Sequence, residues 1–597
     1  MTAAPEKAAA GLSKRCHRGA GLESRRLISY NSRIGRGTRL NEDSRGLFKR
    51  SRIIFLGLFL FGAWIRSVDA WKPVDGRIRE SWRECDYGSV ARNFFREGMN
   101  ILYPRIDWRG DGPGYAEMEF PVIPWTMAAL YKIFGYHEVI GRMLVYVFSL
   151  LTLLVFFSLA RRLIPSWGAI TASLVFVLSP LAVRVSNSLQ PEGLMLFFYI
   201  AAAYAFIRWL EDDRWIWYGT ALGATAAAIL VKAPAAHIGI FFLLLLLANN
   251  GFRSLRSVKV LAFGALALLP AVLWYGHAHH FWLTFGNSLG VSNEYHWLGW
   301  DLIKKFPVFL TFLLRLAKRE ALFVWMPLGW IAALAVLWVR KKDRVVKIAF
   351  LWLLTLGLYY LITIRTTADS WATYYHVVAV PAAALLLGVG AKVLLERVRN
   401  ERAFVLSLGI SAVVSLAILS GRVFLGLTFE RYLYAAVIAL ALSGIASRPL
   451  VLATKGLRVF WLVFVISLLS VFPFQAVQIS RDLYPRQFQG KFACARSFQP
   501  LIPEQSLILA VGSVSKDETG RPVAYNAPYM FFWLDRKGFD IPADRQTLEN
   551  VENFVRRGAR YFVLEKDALK AKPGFYEELR RRFTLLAECN EAYLFRF

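Results

Sequence analysis

The chain reads as a polytopic α-helical membrane protein followed by a C-terminal external α/β domain. Of its 597 residues, 56% are hydrophobic, above the roughly 45–50% of soluble domains, and the mean hydropathy is +0.40. Apolar runs of about twenty residues, the length that crosses a bilayer, recur from Ile53 to Val477. The third observation is charge: 72 Lys and Arg against 42 Asp and Glu give +30. The basic residues gather beside apolar segments, as the positive-inside rule expects. Membrane lipid is therefore the expected partner, and nucleic acid is not.

Residues 1–52 are polar and basic, which predicts a disordered tail on the cytoplasmic side. Ile53–Ile65 starts the membrane domain, residues 53–477. Val68 and Ala70 resemble a signal-peptide cleavage site, but the tail is too long for an ordinary n-region, which favours a retained first helix. Further helices are expected near 138–160, 168–186, 192–210, 216–231, 234–249, 258–275, 320–339, 345–364, 374–395, 403–421, 431–447 and 459–477, about 13 in all. Under this count Arg161 and Arg162, Arg253 to Lys259, Arg340 to Lys347 and Lys392 to Arg402 share the cytoplasmic side.

An odd number of helices puts residues 478–597 outside, as a periplasmic domain. Strands are expected at Ser506–Gly512, Arg560–Leu564, Thr584–Ala587 and Ala592–Phe595, with helices near Thr547–Arg557 and Gly574–Arg582. The four cysteines are Cys16, Cys85, Cys494 and Cys589, with no C-x-x-C pair. A disulfide between Cys494 and Cys589 is open to the domain in an oxidising compartment.

Between the first two spans lies a loop of about fifty residues, 71–121, rich in Asp, Glu, Arg, Trp and Tyr. It holds WRECDYGSVARNF (Trp82–Phe94) and ends in EMEFP (Glu117–Pro121). Loops of that length are functional or disordered, and the aromatic content argues against disorder. A second outer loop, 276–319, carries His277, His279, His280, Glu294, His296, Lys304 and Lys305. The three clustered histidines suit zinc, although a solvated interfacial loop is the favoured reading. A third outer loop reads RTTADSWATYYH, Arg365–His376.

No nucleotide-binding, metalloprotease or serine-hydrolase motif occurs. No cofactor and no metal site are expected. An activated substrate on the outer face must then be carried in another form, and a lipid-linked donor suits the setting.

These residues suggest a family. WRECDYGSVARNF, EFPVIPWTMAALYKIFG with GRMLVYVFSLLTLLVFFSLARRL, and SPLAVRVSNSLQPEGLMLFF together resemble the GT-C membrane glycosyltransferases, in the protein-mannosyltransferase and aminoarabinose-transferase-like group. The later LVKAP and YYHVVAVPAAALL add weaker likeness, and the match covers about residues 53–395.

The resemblance implies a GT-C fold and an inverting hexosyl or pentosyl transferase in a bacterial-type inner membrane. A sugar would pass from a polyprenyl phosphate to a hydroxyl of a lipid, glycan or protein acceptor. Asp86 matches the family's loop base, with Glu84 and Glu119 as further catalytic carboxylates. Arg83, Arg92, Lys232 and Arg365 lie at outer ends or loops, where cations suit a phosphate. Glu117, Glu192, Tyr374, Tyr375 and His376 are candidate donor or acceptor contacts. Snorkelling to headgroups is the plainer reading of Lys232, and an aromatic belt that of the tyrosines.

Two departures stand out. Glu84-Cys85-Asp86 replaces the adjacent acidic pair of many members. Glu119-Phe120-Pro121 lacks the Lys before Pro-Pro that is common in the aminoarabinose branch. Rival readings are a lipid-sugar transporter or flippase, and a non-catalytic envelope assembly protein on the same fold. Charges at helix ends rather than at the bilayer midplane count against transport.

Overall fold

The computed structural model describes residues 42–291, 298–428, 432–453, 458–482, 488–516 and 528–597. It has a helical membrane domain capped by a small sheet domain. Glu294 and His296, singled out in the sequence, lie outside the described residues, as does Cys16.

The first described helix is Glu42–Ser67, so helix begins inside the stretch expected to be a disordered tail. Among the described residues nine helices are long and apolar enough to cross a membrane, or eleven if two bent pairs each form one span. The expected count of 13 is not confirmed by this range. The Glu42 helix has only Ile53–Ile65 as its apolar run, and the helix Trp215–Val231 has 17 residues. The first falls below the roughly 17–25 residues of a span and the second lies at its lower edge.

The span Thr373–Val398 is 94% buried and lies at the centre of the bundle. It reaches its neighbour through small residues, as membrane helices do. A Cβ on Gly388 would fall 2.6 Å from the carbonyl oxygen of Gly168.

The outer loop 276–319 is helical at both ends. Helix Val258–Phe285 runs straight through His277, His279 and His280, which were expected in a loop. Its apolar period simply continues past the polar residues. Helix Phe306–Phe323 meets Met326–Val339 at 92°. Pro327 explains the break, because the residue before a proline is driven out of the helical region. Met326 there has φ +56°.

The C-terminal domain is a five-stranded mixed sheet: β1 (Leu507–Val511), β2 (Gly538–Ile541), β3 (Ala559–Glu565), β4 (Thr584–Glu588) and β5 (Ala592–Arg596). Their order is β2-β1-β3-β5-β4. β1 pairs in parallel with β2 and β3, and β5 pairs antiparallel with β3 and β4. The sequence reading lacked β2, which has four residues, and the helices Gln489–Phe498 and Pro528–Leu534. Cys494 and Cys589 form a disulfide that ties the domain's first helix to the β4–β5 hairpin.

The sheet domain docks directly on the loop 71–121. Gly110 donates its amide to the Gly538 carbonyl at 2.6 Å, and Gly538 returns a bond to Asp107 at 3.1 Å. Trp533 donates its indole N–H to the Val74 carbonyl at 2.8 Å. Glu97 accepts from Arg109 at 2.6 Å and is paired with Lys537. Burial pushes the Glu97 carboxyl up, but Arg109 and Lys537 prevail and hold it down to about 2.

Two outcomes follow from this docking. The disulfide closes a separation of 95 residues, worth on the order of 4–5 kcal/mol in the chain-entropy model. Cys494→Ser with Cys589→Ser, or reduction, should lower the melting transition of the C-terminal domain by a comparable amount. The depressed Glu97 contributes stability above its ordinary value of 4.5, and that stability is lost as pH falls toward 2. Acid should therefore raise hydrogen exchange first at the Glu97–Lys537 seam, and Glu97→Gln should flatten that pH dependence.

Candidate active site

Helix Ser81–Glu97 is polar in sequence yet buried along its length: Arg83, Glu84, Asp86 and Arg92 are each at most 3% exposed. Buried charges are tolerated only when paired, and three sets of partners meet this helix from three sides.

Glu84 faces the membrane domain. Arg142 grips it in a fork, with Nε 2.9 Å from Oε1 and Nη2 2.7 Å from Oε2. The Leu189 amide donates to Oε1 at 3.0 Å. Both oxygens are thus committed to anchoring the helix to span Val139–Leu163. Glu84, expected as a further catalytic carboxylate, is placed here as an anchor.

Arg92 faces the sheet domain. Its Nη2 lies 2.6 Å from Asp107 and its Nη1 donates to the Phe532 carbonyl at 2.9 Å. Asp535 adds an ion pair at 3.0 Å. Arg92, expected as a phosphate ligand, is placed here between loop and sheet domain. Gly88, one turn earlier, admits the Phe532 ring; a Cβ there would lie 2.6 Å from Phe532 Cε2.

Arg83 and Tyr87, one turn apart, face a buried cluster. Glu119 Oε1 lies 2.5 Å from Lys232 Nζ and 3.4 Å from Arg83 Nη1. Glu192 Oε1 lies 3.0 Å from Lys232 and 3.5 Å from Arg83. The Tyr374 ring sits 5.5 Å from the Arg83 guanidinium, and the Tyr375 ring 5.2 Å from Lys232 Nζ. Six expected site residues therefore converge, although they span Arg83 to Tyr375 in the chain.

Burial pushes Glu119 up, but Lys232 and Arg83 overcome it and hold its carboxyl down to about 2. A carboxylate that acidic is a poor proton acceptor at neutral pH. Glu119 serves as a charge partner that positions the two cations. Asp86, 1% exposed, follows Arg83 by three residues on the same helix, near enough to Tyr529 of the sheet domain to add to the upward push on its hydroxyl.

The remaining expected residues sit elsewhere. Arg365 pairs with Asp301 at 2.5 Å. His376 bridges Glu320 (Nδ1, 2.6 Å) and the Thr367 carbonyl (Nε2, 2.7 Å). Glu117 accepts from the Ser288 hydroxyl at 2.5 Å and lies 3.1 Å from His279. Among the described residues no group of three or more His, Cys, Asp or Glu could hold a metal.

The sequence reading missed Arg142 and Tyr87. Arg142 carried a signal, since a charge inside an apolar helix is costly without a partner. Tyr87 is four residues after Arg83, hence on its face. Its hydroxyl is buried and has no hydrogen-bond partner among the described residues. Burial and the nearby Glu119 raise its pKa, so it stays a neutral donor.

The arrangement defines a membrane protein of the GT-C fold. Residues 113–275 match the family described as dolichyl-phosphate-mannose-protein mannosyltransferase. That stretch contains Glu119, Arg142, Glu192 and Lys232 but begins after Asp86. The chain is similar to the crystal structure of ArnT from Cupriavidus metallidurans in the apo state (TM-score 0.56, 16% identity, covering 91% of this chain and 97% of that one). It is similar to the same protein bound to undecaprenyl phosphate (0.54, 15%, 91% and 97%). The Archaeoglobus fulgidus oligosaccharyltransferase tethered with an acceptor peptide is also similar (0.51, 13%, 91% and 74%). No curated protein sequence matches.

Breaking the Glu84–Arg142 fork should cost about 3–5 kcal/mol, because one charge is left buried and unpaired. Arg142→Met should accordingly lower the melting temperature far more than Asp86→Asn does, as read by thermal unfolding in detergent.

Proposed function

We propose that the chain is an inverting glycosyltransferase that moves a sugar from a polyprenyl phosphate to an acceptor hydroxyl. The observation that carries this reading is the buried Arg83–Lys232 pair, neutralised by Glu119 and Glu192, with Arg83 on the helix that bears Asp86 and Lys232 at the end of helix Trp215–Val231. ArnT, whose fold this chain shares, has been captured with undecaprenyl phosphate.

The chemistry suits those groups. The acceptor oxygen attacks the anomeric carbon and its proton passes to Asp86, while the bond from that carbon to the phosphate oxygen breaks. The donor phosphodiester carries one negative charge and the departing polyprenyl phosphate gains another. Cations fixed in a dry site stabilise charge that grows in the transition state. Arg83 and Lys232 supply them, and Tyr87 adds a neutral hydrogen-bond donor. Asp86, buried on the same helix as Arg83, is the carboxylate that takes the proton in this reading.

The reaction is assigned to the outer face of a bacterial-type inner membrane, with the N-terminus cytoplasmic and the sheet domain external. The Cys494–Cys589 disulfide supports an oxidising surrounding for that domain. The acceptor class is a lipid, glycan or protein hydroxyl.

The test is transfer by purified protein with a panel of polyprenyl-phosphate sugars, read as polyprenyl phosphate released and a one-sugar mass gain on the acceptor. Asp86→Asn should lower turnover by about 10²-fold or more without moving the melting temperature. Glu119→Gln combined with Lys232→Met removes one charge of each sign, so the protein should fold while its donor KM rises. Full turnover in Asp86→Asn would defeat the assignment. Movement of labelled lipid across vesicles without glycoside formation would favour a flippase.

A further inference from the structure

A cavity of about 490 Å³ opens beside the N-terminus of helix Ser81–Glu97, between the chain 69–80, helix Phe306–Phe323 and the end of span Arg458–Asp482. None of Arg83, Lys232, Glu119 or Glu192 lines it. Its volume is in the range of small-molecule sites.

Its wall is strongly cationic. Arg79, Arg184, Lys318, Arg319 and Arg481 face three carboxylates, those of Asp69, Glu80 and Asp482, an excess of two positive charges. The arginines are near enough to repel: burial and then Arg184 push Arg79 below the usual arginine range, and Arg319 adds to this against Glu80 and Asp482. Val183, Leu322 and Ile479 form an apolar side.

Glu80 marks the inner end. It is 1% exposed, and neither carboxylate oxygen has a hydrogen-bond partner among the described residues. Its nearest ion-pair contact is Arg184 at 3.8 Å, beyond hydrogen-bond reach. Buried polar groups are seldom left without a bond, so this carboxyl is placed for a hydroxyl that a ligand would bring.

The rim on one side is apolar. Helix Phe306–Phe323 lies at 92° to the helix that follows it. It exposes Phe306, Leu310 and Leu314 while Lys318 and Arg319 line the cavity. An apolar face with cations beside it is the pattern of helices that lie in the headgroup plane.

We infer that this cavity is a second anion site, separate from the Arg83–Lys232 cluster. It takes a phosphate-bearing headgroup with free hydroxyls: phosphate on Arg79, Lys318 and Arg319, a hydroxyl on Glu80. The shared chemistry is that of a phosphorylated polyol, whether still attached to a membrane lipid or free. The inference holds independently of glycosyl transfer.

The test is thermal unfolding of the full chain in neutral detergent with phosphatidylglycerol, phosphatidylcholine, glycerol 3-phosphate or inorganic phosphate added. Phosphatidylglycerol should raise the melting temperature and phosphatidylcholine should not. A matching rise with glycerol 3-phosphate assigns the site to the free headgroup, and its absence assigns it to the lipid. Lys318→Ala with Arg319→Ala, near the surface, should keep the unliganded melting temperature. The same pair should weaken phosphatidylglycerol about tenfold or more, given the attraction of each basic residue near an anionic surface. Glu80→Gln should narrow the preference for phosphatidylglycerol over phosphatidic acid, which lacks the hydroxyls. No rise with any phosphate compound, or equal rises in wild type and the Lys318/Arg319 variant, would overturn the inference.

Discussion

Burying a charged helix at the mouth of a membrane bundle is the constraint on which the rest of the structure depends. Ser81–Glu97 brings two guanidiniums and two carboxylates out of water within ten residues, Arg83 to Arg92. Each buried ion costs several kcal/mol unless it is paired with good geometry. The fold answers with a dedicated partner on each side: Arg142 for Glu84, Glu119 and Glu192 for Arg83, Asp107 and Asp535 for Arg92. The helix can lie in only one rotation that satisfies all three sides, which fixes where Asp86 points relative to the cations.

The same constraint explains the sheet domain. A helix at the membrane surface would expose the side bearing Gly88 and Arg92 to water, and water would screen the cluster. The sheet domain covers that side through Phe532, Trp533 and the Gly110–Gly538 pairing. The disulfide holds the domain's first helix to its last hairpin. Site and cover are thus one assembly, with the low dielectric that makes fixed cations effective.

Much of the plan was legible from sequence because it rests on local pattern. Apolar runs located most of the spans, and alternation located four of the five strands. The unusual loop pointed to Arg83, Asp86 and Glu119. The reading faltered where composition is ambiguous. Polar His277–His280 read as loop although the helix continues through them, and β2 is too short to show a period. The span count differs between sequence and structure at Ile53–Ile65 and Trp215–Val231, which are apolar but short.

Residue type alone determined that this chain enters a membrane, carries an acid-rich polar segment between spans, and has cations near it. Only the tertiary structure decided which cation each of two carboxylates meets. Glu84, Asp86 and Glu119 are alike in sequence, each an acid in the same loop. Arg142, 58 residues from Glu84, and Lys232, 113 residues from Glu119, assign two of them to charge pairing. Those partners come from distant spans, and no local pattern encodes which cation a buried carboxylate will meet.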